Sequence, residues 1–150
     1  MTVTISSDAL KRIRMAAAAS PDAEVCGLLL GEGAHIREAR ACNNVSATPA
    51  TRFEIDPAAL LAAYRGARGG GPAVLGHYHS HPSGHAEPSP RDAEDALPDG
   101  RLWLLVAGET VTAWRAVAAG ERHGRFTRVT LACEDPAAPS DRQSCWKDYS

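Results

Sequence analysis

The 150-residue sequence predicts one α/β or α+β domain built on a mixed sheet. Three observations carry that expectation. Stretches with strand-like and helix-like apolar spacing alternate along the chain. Hydrophobic residues make up 44%, enough for a core and too many for a disordered chain. The length suits one domain on the prior of about 100–200 residues each, and no internal repeat divides it.

Residues 3–5 alternate as a short strand. Ser6 and Ser7 can cap a helix reaching residue 19, because Leu10, Ile13 and Ala17 fall on one face. Pro21 ends it. Residues 25–31 (VCGLLLG) form a continuous apolar run, the pattern of a buried strand. Residues 35–41 make its hairpin partner across the Gly31-Glu32-Gly33 turn. The polar stretch 43–51 is a loop. Asp56 and Pro57 start a second helix, which carries Leu60, Leu61 and Tyr64 and stops at the glycines 69–71. Residues 73–78 are a strand, 81–88 a loop, and Ser89-Pro90 opens a short helix to residue 97. Residues 101–107 and 111–117 read as strands joined at Gly108-Glu109, and 126–131 as a last strand. The domain is therefore expected over 1–132. From Cys133 the composition turns to Asp, Pro and Ser, so 133–150 reads as a tail that Trp146 and Tyr149 could anchor.

A formal net charge of -2 does not point to a strongly basic face for nucleic acid, though it leaves room for a local patch. No apolar run approaches the roughly 20 residues of a membrane span. The apolar stretch 15–19 is too short for a signal-peptide core of about 7–15 residues, so a cytoplasmic protein is expected. The four cysteines, Cys26, Cys42, Cys133 and Cys145, show no CxxC or zinc-finger spacing and read as free thiols.

Chemistry concentrates in Gly76-His77-Tyr78-His79-Ser80-His81-Pro82 and in Ser89-Pro90-Arg91-Asp92. Residues two apart on a strand share a side, so His79 and His81 can aim at one point. A loop from His81 could bring Asp92 over the strand end. Two imidazoles and a carboxylate suit zinc, and three protein ligands leave a fourth position for water. The plainer readings stand beside this one. Strand-end histidines are commonly rim residues, and Ser-Pro-x-Asp is also a good helix start.

The pattern His79-Ser80-His81-Pro82, Ser89 seven residues on, then Asp92, resembles the JAMM (MPN+) metallopeptidase motif HxHP-x(6)-S-x(2)-D. Glu24, heading the Val25–Gly31 run, fits the family's upstream glutamate, and Phe53-Glu54-Ile55-Asp56-Pro57 is similar to a stretch of its compact bacterial branch. The likeness covers roughly residues 3–131 and all five motif positions. It implies a curved mixed sheet flanked by helices, like the cytidine-deaminase architecture. It implies His79, His81 and Asp92 as zinc ligands, Glu24 as general base and Ser89 as the oxyanion donor. Zinc lowers the pKa of water that it binds from about 15.7 to near 7, and a carboxylate can move the proton to a leaving amine. By composition alone Glu54, Glu87 and Glu94 rival Glu24, and only the resemblance selects it. His77 and His85 are supporting groups at most, Arg91 faces solvent or substrate, and Cys26 packs in the core. The ligand set favours zinc over iron or manganese.

The implied reaction is hydrolysis of the amide after the C-terminal Gly-Gly of a ubiquitin-like, β-grasp sulfur-carrier protein. Its extended tail is expected to pair with a sheet edge beside the metal. Alternatives are a broader isopeptidase releasing ubiquitin-like proteins from lysine, and a non-catalytic MPN scaffold. A cell-wall peptidase would need a second domain, and a zinc deaminase would need H-x-E and P-C-x-x-C, which are missing. Neither nucleic acid nor membrane is expected as a partner, and oligomeric state is open.

Overall fold

In the computed structural model, which describes residues 1–134, Ser6 caps the first helix as its type suggests. Its hydroxyl accepts the Ala9 N–H at 3.2 Å, and α1 (Ser7–Ala18) follows β1 (Thr2–Ser6) directly. Ala9, Leu10 and Ile13 form its buried stripe. β2 (Cys26–Glu32) is buried almost throughout because β3 (His35–Cys42) and β4 (Ala73–Ser80) flank it, both antiparallel. Asp56 caps α2 (Pro57–Arg68) by accepting the Ala58 N–H at 3.1 Å. Ala63, not Leu61, is the buried residue of α2; Leu61 is turned outward. α3 (Pro90–Asp95), β5 (Leu102–Ala107), β6 (Thr110–Gly120) and β7 (Gly124–Glu134) complete the order. Helix α3 ends two residues sooner than expected, and Leu97 beyond it is exposed.

The mixed sheet is as expected, and it goes further by closing into a barrel in the order β1-β3-β2-β4-β5-β6-β7. The closing strand is β1, parallel to both β3 and β7. Irregular registers after Leu29, Leu30 and Ala116 bend the strands, and such bulges sharpen the twist that closure needs. Every strand thus has two neighbours. β1 meets β3 only at His35 and Ile36, so among the described residues the stretch 37–42 of β3 has no strand pairing on that side.

Alternation along the strands separates two sides. Val3, Ile5, Leu29, Ile36, Tyr78, Leu104 and Val106 join α1 in the main core. Leu28 and Leu30 pack under α2 on the other side, and Trp103, Leu105, Trp114 and Phe126 form a third cluster beside Ala96. In β4 this sends Tyr78 into the main core and leaves His77 and His79 against Phe53 and Trp103.

β7 continues through Cys133, which pairs with Ile5 and is buried. The remainder of the expected tail, with Trp146 and Tyr149, lies outside the described residues. Cys26 and Cys42 are free thiols, whereas Cys133 is disulfide-bonded. Spacing in sequence does not show which thiols a fold brings together. Among the described residues no helix is long and apolar enough to cross a membrane.

Gly76 makes the approach of β5 to β4 possible. A Cβ there would stand 2.0 Å from the Leu102 carbonyl oxygen, and Gly76 and Leu102 are paired in the parallel ladder. The nearest atoms are all backbone of Leu102, so no flexible group is there to yield. Gly76→Ala is expected to cost about 1–3 kcal/mol, which lowers Tm by roughly 3–10 °C. A thermal melt indistinguishable from that of the parent would contradict this close approach.

Candidate metal centre

His79 and His81 stand at the end of β4, where alternation aims both rings the same way. Their Nε2 atoms are 3.1 Å apart. Asp92, in the first turn of α3, meets both: Oδ1 lies 3.3 Å from Nε2 of His79, and Oδ2 lies 3.1 Å from Nε2 of His81. All three side chains are buried. The loop expected over 81–88 therefore does carry Asp92 back over the strand end.

The cap reading of Ser89 and Asp92 also holds. The Asp92 N–H donates to Ser89 Oγ at 3.1 Å, and the Ser89 N–H donates to Asp92 Oδ2 at 2.9 Å. This capping box pins the carboxylate in place while leaving the Ser89 hydroxyl proton free to donate elsewhere. Cap and site are one arrangement.

The atoms fit a cation. His81 Nδ1 sits 2.8 Å from the His85 carbonyl oxygen, which can only accept, so Nδ1 carries the proton. In the neutral ring Nε2 then turns its lone pair toward Asp92 and His79, where a cation could be held between them. Ligands about 2.0–2.1 Å from a tetrahedral zinc stand about 3.3–3.4 Å apart, close to the 3.1–3.3 Å seen here. The Asp92 carboxyl is held well below the usual carboxylate range. Burial alone would raise it, but hydrogen bonds with His79 and His81 and the Ser89 N–H prevail. Burial lowers His79; it also pulls on His81, where Asp92 and the His85 carbonyl outweigh it and leave the ring raised.

Glu24 joins this group. Its carboxylate and the ring nitrogens of His79 and His81 lie within 4.8 Å of one another. Burial pushes Glu24 up to about 7, with His81 opposing and Asp92 adding. Of the rival glutamates, Glu54, Glu87 and Glu94 are all exposed, and Glu87 is paired with Arg122 at 2.9 Å. Arg91 is exposed.

Several supports of the site carry no mark in the sequence. The Glu24 N–H donates to the Pro49 carbonyl at 2.7 Å, and Asn44 Nδ2 donates to the Glu24 carbonyl at 2.9 Å. Ser80 Oγ accepts the Val25 N–H at 2.9 Å, tying the chain beside Glu24 to the end of β4. His85 contributes its carbonyl rather than its imidazole. His77 is half-buried against Phe53 and Trp103. Burial pushes Cys26 up to about 12, so it is an inert thiol in the core beside its ladder partner His79. Two clefts flank the cluster. One is lined by Met15, Ser20, His81 and Val106, the other by Thr48, Phe53, His77 and Trp103.

The profile of prokaryotic homologs of the JAB domain matches residues 6–117. "Desampylase" of Haloferax volcanii is 35% identical over 98 residues, covering 64% of this chain and 70% of that protein. A Thermus thermophilus protein named "Probable TtuB-protein conjugate cleaving protease" is 47% identical over 78 residues, 45% of this chain and 53% of its own length. The crystal structure of a JAB1/MPN domain protein from Archaeoglobus fulgidus aligns with TM-score 0.54 and 21% identity, over 87% of this chain and 97% of that one. That likeness concerns the fold alone. With the family profile matched from α1 to β6, the chain belongs to the prokaryotic homologs of the JAB domain.

Proposed function

We propose that the protein is a zinc-dependent peptidase that hydrolyses the amide after the C-terminal Gly-Gly of a ubiquitin-like, β-grasp sulfur-carrier protein. One observation carries the metal chemistry: two buried Nε2 atoms and one buried carboxylate converge beside a second buried carboxylate. His79, His81 and Asp92 would hold the ion. When bound, zinc supplies Lewis acidity, which makes hydroxide available near neutral pH.

The protein's own groups divide the remaining work. Glu24 accepts a proton from the attacking water and returns it to the leaving amine; burial, which raises its proton affinity, suits it to both transfers. Ser89 Oγ is already an acceptor at the cap, so its O–H donates to the oxygen that gains charge at the scissile carbonyl. The two flanking clefts are open to receive an extended tail beside the cluster. The peptidase domain is the segment 1–132 expected from composition, lengthened to the end of β7, and the cytoplasmic setting belongs to the same proposal. Support for the substrate class comes from the names of the two relatives, one of which specifies cleavage of protein conjugates.

That name favours a second reading, an isopeptidase releasing the modifier from lysine. Mass spectrometry of two substrates separates them. A carrier ending Gly-Gly-X should lose X alone, while a lysine-linked conjugate is left intact. Cleavage of the conjugate with the Gly-Gly-X carrier untouched would favour the isopeptidase. A zinc-loaded preparation inert toward both would overturn the peptidase reading. Removal of the metal by a chelator is expected to abolish turnover, and added zinc to restore it; activity that survives complete chelation would refute the metal role.

A further inference from the structure

The two histidines of the cluster are held in unlike ways. The His81 ring is fixed by its Nδ1–H to the His85 carbonyl, at 2.8 Å. His79 has no such bond: its Nδ1 is buried without a hydrogen-bond partner. Metal-ligating histidines nearly always anchor that second nitrogen, because the bond sets both tautomer and ring orientation. What meets the His79 ring is Phe53. The two rings are stacked, with centroids 4.2 Å apart and planes 20° from parallel. Trp103 stands edge-on to both, at 5.7 Å from His79 and 6.2 Å from Phe53.

We propose that Phe53 is a positioning residue for His79, its stacked ring replacing the hydrogen bond that the ring lacks. This inference rests on the metal-binding reading above. Stacking fixes the plane of the imidazole, and Asp92 Oδ1 at 3.3 Å selects which nitrogen faces the cluster. The unpartnered Nδ1 is itself buried. Phe53 sits in the 43–56 loop, which is tied to Glu24 through Asn44. The loop thus sets the plane of one imidazole and clamps the backbone of the buried glutamate. Simple burial of His79 would need only an apolar side chain. Orientation needs a flat one.

The test separates these two roles. Zinc affinity is measured by competition with a chromophoric chelator for the parent and for Phe53→Leu, Phe53→Tyr and Phe53→Ala. Visible absorption of the cobalt(II)-loaded proteins reports ligand geometry independently of turnover. Leu keeps apolar cover without a plane, and Tyr keeps the plane. Phe53→Leu and Phe53→Ala are expected to weaken zinc by about 10–100-fold and to alter the cobalt bands, whereas Phe53→Tyr stays within about threefold of the parent. Should Phe53→Ala fail to fold, the Leu and Tyr pair decides alone. Equal affinity and spectra for Phe53→Leu and the parent would overturn the positioning role. A parent that takes up no metal would instead overturn the proposed function, and this inference with it.

Discussion

Glu24→Gln is expected to yield a folded, zinc-binding protein whose turnover is lower by about 10²–10⁴-fold, the usual worth of a general base. The reasoning starts from the backbone. Glu24 is held by the Pro49 carbonyl and by Asn44, and its neighbour Val25 by Ser80, so the side chain's origin is the same in the variant. Gln matches Glu in shape and keeps one acceptor oxygen, but it cannot take up a proton. Stability should change little, because a carboxylate whose ionisation burial already disfavours is exchanged for a neutral amide. Metal content, a thermal melt and steady-state rates on one preparation check all three parts. Near-parental turnover with zinc in place would show that Glu24 is not the base. Loss of zinc would show that Glu24 is itself a ligand, a role that its nearness to His79 and His81 would also allow.

Asp92→Asn has the second large effect, and it acts on the metal first. Asn can still accept the Ser89 N–H, so the start of α3 should survive. What disappears is the one charge shared by both imidazoles, at 3.1 and 3.3 Å. Removing one partner of a buried charged cluster typically costs about 3–5 kcal/mol, so zinc affinity should fall by roughly 10²–10⁴-fold. Turnover should fall with it. Metal analysis after dialysis, with circular dichroism as the control for folding, makes the measurement. Unchanged zinc retention would remove Asp92 from the ligand set and leave it a helix cap only.

These two residues differ in how far the sequence reveals them. Asp92 was visible as a helix-start acid, and its place opposite His79 and His81 followed only if the 81–88 loop turned back. The loop does so, and the local signal proved compatible with the distant one. Glu24 had no local signal at all. Composition left four glutamates in contention, and burial separates them, since the other three are exposed. Phe53, Ser80, Asn44 and the His85 carbonyl were not legible as parts of the site. Their contacts with it are backbone bonds or ring stacking, which residue type and spacing do not encode.

Local order was decided within the chain itself. Side-chain periodicity set the strands and helices, Ser6, Asp56 and Ser89 set the helix starts, and the two-residue spacing of His79 and His81 set a common direction. Each of these depends on neighbours only a few residues away. Closure of the barrel does not, because it joins β1 to β7, pairing Thr2 with Thr130 and Ile5 with Cys133. Burial of Glu24 and the meeting of β4 with α3 are equally remote. Such contacts form where the packed core leaves the chain no better partner, and only the folded molecule expresses that choice.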